Sequence, residues 1–267
     1  MQIVIVQLAT LLMVCLMYFS QPAIAHADTM TDQSTIQGTN TIHHLVSTHN
    51  PLAQTLFDKG LQSFFSYDLE KAQNFFQQAI EQDSELAMAY WGLALASSPD
   101  INQSIDLEQE ADAYAWARKA LDLTANSGVS IQEKAYIRAL QKRYSLDPNE
   151  DFRRLMENYC ASLSEFIQQY PKDPDIATLY AEGLMDLQGW NFWDDDKEPL
   201  GNTLEILSIL NFVLETYPNH LGANHYYVHV MEGSGNRELT LLHAKKLLPY
   251  TSTSEHLQAF TDYIIPM

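Results

Sequence analysis

His225, His229 and Glu232 are the residues of this chain best spaced for chemistry. In an α-helix they fall at i, i+4 and i+7, so two imidazoles and a carboxylate share one face. That donor set suits zinc and similar divalent transition metals. Glu182 and Asp186, also four apart, offer two more carboxylates from an earlier helix, and Glu182 is the candidate fourth ligand. Trp190 and Trp193 follow at once in a Gly-bounded insertion, where aromatic side chains can wall a pocket. No His-Glu-x-x-His pattern supplies a base between the two histidines, so the cluster calls for binding before it calls for catalysis. The competing reading is a packed helix whose histidines bond to Glu182 or Asp186, or touch a protein ligand.

Other candidates carry less. Asp194, Asp195, Asp196 and Glu198 lack the spaced ligands and glycine of a calcium loop and read as a solvated acidic loop. His43, His44 and His49 lie in a polar stretch and are assigned no role. Cys160 has no second cysteine beyond Cys15, which sits in an apolar leader, so it reads as a small helix residue. No glycine-rich phosphate loop or Gly-x-Ser-x-Gly elbow is present. A formal charge of -19 opposes binding to nucleic acid or anionic membrane and favours a basic or cationic partner, where it does more than confer solubility.

The elements that must position these residues are helices. Residues 1–27 carry no charged side chain and end in small residues, the pattern of a signal peptide cleaved after Ala25 or Ala27, which predicts export to a periplasm or medium; the alternative is an uncleaved membrane anchor. Residues 28–50 are polar without apolar periodicity and read as a flexible segment. From 51 to 267, apolar residues recur at helical spacing between Gly, Pro and Asp-Ser breaks, and alternating strand patterns are absent. The expected class is all-α, with about ten helices.

Gly60, Ala72, Phe76 and Ala79, echoed by Ala113, Ala117 and Ala120, resemble the tetratricopeptide repeat. Pro174, Pro218 and Pro249 fall where that repeat ends in proline. The resemblance implies a right-handed α-solenoid of degenerate helix pairs with a concave ligand groove. On its register His225, His229 and Glu232 face the groove, as does Trp91, a candidate peptide anchor. Two segments, from Leu179 to Leu187 and from Gly222 to His229, also resemble a group of exported bacterial repeat proteins. That group continues with a His-Met-Pro-x-His segment, which Ser254-Glu255-His256-Leu257 does not lead into here, as in a truncated or reduced copy. Two functions follow as expectations. One is a scaffold holding a protein or peptide in an acidic groove lined by Trp91, Asp186, Trp190 and Trp193. The other is a metal-binding protein or metalloenzyme, or its remnant, built on His225, His229 and Glu232.

Overall fold

The structure is a computed structural model that describes residues 42–97, 107–126, 128–147, 149–189 and 191–266. The leader, residues 28–41 and Trp190 lie outside the described residues. Within them the chain forms α1 (Pro51–Phe65), α2 (Leu69–Gln82), α3 (Ala87–Ala96), α4 (Leu107–Leu123), α5 (Ile131–Leu140), α6 (Phe152–Gln169), α7 (Pro174–Gln188), α8 (Thr203–Thr216), α9 (Leu221–Met231), α10 (Arg237–Leu247) and α11 (Glu255–Ile264), with short 3-10 turns after α5 and α10. No strand occurs among the described residues, and none of their helices is long and apolar enough to cross a membrane.

Local chemistry sets the helix starts. Asn50 accepts bonds from the amides of Leu52 and Ala53, with Pro51 opening α1. Ser130 and Glu133 form a capping box on α5, and Asp173 caps α7 ahead of Pro174. His220 caps α9 through a bond from the Ala223 amide, and Ser254 caps α11 through that of Leu257.

Consecutive helices pack as antiparallel pairs, giving an α-solenoid whose first helices (α1, α3, α5, α7, α9) lie inside and second helices outside. Small residues let the pairs close. A Cβ on Gly60 or Gly92 would come within 2.6 or 2.5 Å of the Phe76 ring, so that one phenyl wedges α1, α2 and α3 together. Ala72, Ala79, Ala113 and Ala120 are fully buried at the same kind of contact.

Among the described residues, the inner helices pack in a circuit rather than around an open concave face. α1 packs on α3, α3 on α5, α7 on α9, and α9 returns to α1. α5 and α7 are tied by the Gln132 amide and the Tyr136 hydroxyl, both donating to Asp173. The circuit therefore closes, and α3 and α9 are buried at every position, as a helix apolar all round requires. Trp91 is corrected accordingly. It is 2% exposed, with its ring 5.4 Å from Tyr136 and 6.5 Å from Phe57, because the face expected to line a groove packs against neighbouring inner helices.

A second correction concerns residues 42–50, expected to be flexible. They form a strap over the starts of the inner helices. The Val46 side chain is buried, the Ser47 amide and hydroxyl donate to Glu133, and Thr48 donates to Asp83. His44 reaches Asp175 at 2.6 Å, and Asp175 also takes His220 at 2.9 Å. Polar composition hid the strap, because its bonds run to partners as far as 131 residues along the chain.

Candidate metal centre

The centre forms where α9 meets the end of α1. Gly222 makes this approach possible: a Cβ there would lie 2.5 Å from the Phe65 ring. The close contact brings the Phe65 carbonyl to His225 Nδ1 at 2.7 Å. A carbonyl oxygen only accepts, so the His225 proton sits on Nδ1 and Nε2 presents a lone pair. That Nε2 lies 3.0 Å from His229 Nε2, one turn further along α9. It lies 3.1 Å from His256 Nε2, which comes from the first turn of α11, 31 residues away.

Three imidazole nitrogens thus converge on one point. Two ligands held about 2.0–2.1 Å from a tetrahedral zinc stand about 3.3 Å apart, close to the spacing seen here. His225 is fully buried and His229 is 4% exposed, while His256 is half-buried. Burial first, then the neighbouring imidazoles, hold His225 well below the usual histidine range and His256 at about 4. Both rings are therefore neutral near pH 7, the form that binds metal.

Aromatic walls enclose the cluster. Phe260, one turn after His256, stacks on His229 with ring centres 4.2 Å apart. Tyr67 covers the opposite side, 4.6 Å from His225 and 5.5 Å from both His229 and His256. Tyr67 adopts φ +57°, a left-handed conformation costly for a bulky residue, and its ring stacks on Tyr226.

The sequence-derived candidates separate in space. His225 and His229 stand together as expected. Glu232 does not converge with them: its carboxylate approaches the outer nitrogen, Nδ1, of His229 at 3.7 Å and is partly exposed. That is the place of a carboxylate that orients a metal-binding imidazole. His256 fills the third position instead. Glu182 is corrected more sharply. It points away from α9, toward the guanidinium of Arg143 at 3.5 Å, with Asp186 on the same guanidinium at 2.6 Å. Both carboxylates are engaged by Arg143, in the turn after α5, and neither joins the histidine cluster. Trp193 is part-buried and donates its indole N–H to the Val230 carbonyl at 2.6 Å, packing the insertion against the end of α9.

The remaining candidates are structural. Cys160 is buried against Gly183, and burial, with Glu182 nearby, pushes its thiol up to about 12. Asp194 accepts the amides of Asp196 and Glu198, holding the acidic loop by its own backbone.

Four participants were not singled out beforehand: His256 as a ligand, the Phe65 carbonyl, Tyr67 and Arg143. The spacing of His256 and Phe260 on α11 was visible, but only the α9–α11 approach gives it meaning. No family model and no curated protein matches the chain.

Proposed function

We propose that this chain is a metal-binding protein that holds one divalent transition-metal ion, of the zinc or copper type, on His225, His229 and His256. The observation that carries this reading is the convergence of the three Nε2 atoms at 3.0 and 3.1 Å, with the His225 tautomer set by the Phe65 carbonyl. An all-imidazole set suits zinc, copper or nickel and disfavours magnesium and calcium, which prefer oxygen ligands. Three protein ligands leave a fourth position for water or substrate. That is the arrangement of metal centres that activate water, and the metalloenzyme reading rests on it.

The exported tetratricopeptide-like scaffold remains part of the proposal, with the pairing small residues Gly60, Ala72 and Ala79 as its support. Elemental analysis of protein dialysed against zinc or copper tests the reading. One ion per chain is expected, lost in His225→Ala, His229→Ala and His256→Ala and retained in Glu182→Gln. A chain that retains no ion, or one that retains it after loss of any two of these histidines, overturns it.

A further inference from the structure

Beside the three-histidine centre lies an open groove of about 1290 Å³ between the start of α2, the end of α3, α4 and the segment leading into α11. Two features join it to the centre. Tyr67 lines the groove and also covers all three imidazoles. Ser254 and Glu255, which line it too, immediately precede His256.

The lining is one-sided in charge. Among the described residues, Asp68, Glu70, Asp112, Glu255 and Asp262 face a single cation, Lys71, whose ammonium is bonded to the Thr253 carbonyl. A concave surface of one sign focuses field lines and raises the local concentration of the opposite ion. The acidic residues are not themselves the site. They stand on the way to three converging imidazole nitrogens, which offer a cation ligands at short range.

We propose that this groove is the entry vestibule through which a hydrated divalent cation reaches His225, His229 and His256, passing Tyr67 as the gate. The inference rests on the metal reading above. The carboxylates attract the ion with its water shell, and the imidazoles then replace that water. The strained backbone of Tyr67 holds its ring between groove and centre, where a change of side-chain rotamer opens the way.

Stopped-flow quenching of intrinsic fluorescence by Cu2+ tests this on the full chain, at several ionic strengths. Glu70, Asp112, Glu255 and Asp262 are all exposed. Converting them together to Gln or Asn should slow association about tenfold or more at low salt, flatten the salt dependence, and leave one ion bound per chain. A control in which Asp195, Asp196, Glu198 and Glu215 are neutralised should keep the rate within about twofold of the parent.

Tyr67→Gly, which suits the left-handed backbone, should speed both uptake and release. Equal rates in the groove and control variants overturn the vestibule while leaving the metal centre standing. So does unchanged uptake and release in Tyr67→Gly. A parent chain that binds no Cu2+ overturns both readings.

Discussion

Two buried polar clusters of the molecule solve burial in opposite ways. On the α5–α7 side, Arg143 is fully buried, and the carboxylates of Glu182 and Asp186 meet its guanidinium. Burial opposes that charge, but the two carboxylates outweigh it and raise the guanidinium further above its usual value. On the α9–α11 side, three imidazoles turn the same kind of nitrogen toward one another. The first cluster brings its own counter-charge, with both carboxylates bonded to the guanidinium. The second collects donors around a point where a cation would complete them. Buried polarity alone therefore does not mark a functional site; the mismatch between donors and charge does.

The sharpest way to break this comparison is to remove Arg143. Arg143→Met leaves two carboxylates buried without their cation and should cost about 3–5 kcal/mol in urea unfolding, whether or not metal is added. A loss below about 1 kcal/mol would mean that water reaches the pair. The histidine cluster should respond the other way, to addition rather than removal. Zinc at about 100 to 1,000 times its Kd should stabilise the parent by about 2.7–4 kcal/mol, and stabilise neither His225→Ala nor His256→Ala. Equal stabilisation of those variants would erase the distinction between the clusters.

A third polar group, the strap, tests the self-compensated case through pH. Burial opposes the charge on His44, but its bond and proximity to Asp175 outweigh it and raise its pKa above 6.5. For Asp175, burial is outweighed by the bonds from His220 and His44, and its pKa falls below the usual 3.8. The His44 contribution is present at low pH and lost as pH rises through its raised folded value. The Asp175 contribution is present above 3.8 and lost as pH falls toward its depressed one.

His44→Gln should therefore cost about 1.5–3 kcal/mol between these limits and progressively less on either side. A pH-independent difference would mean that His44 packs rather than pairs. The smallest effect concerns Glu232. Glu232→Gln should leave metal-free stability within about 0.5 kcal/mol and weaken zinc binding about tenfold. An affinity equal to the parent's would remove Glu232 from the orientation of His229.

The helices and their pairing were legible because Gly60, Phe76 and the spaced alanines act locally. A small residue opposite an aromatic carries the same meaning wherever two helices cross. His225 and His229 were legible for the same reason, as one turn of one helix. Glu232 looked equivalent because sequence fixes the face of a helix but not the direction of a side chain at its end. Trp91, Glu182 and His256 were misplaced or missed for a different reason. Each depends on which inner helices touch, and an open array and a closed circuit share one local pattern. The strap failed to register because its residues are polar, and its bonds reach α1, α2, α5 and α7 rather than its own neighbours.

Closure of the inner circuit has a consequence for how the chain folds. An open array gains stability repeat by repeat and can form from any point, since each unit needs only the next. Here Phe65 must find His225, 160 residues away, and His44 must find Asp175 before either end of the array is complete. Such distant contacts raise contact order, slow the search, and make the last helices as necessary as the first. The molecule should melt in one cooperative step, with its first and last pairs lost together rather than fraying from either end.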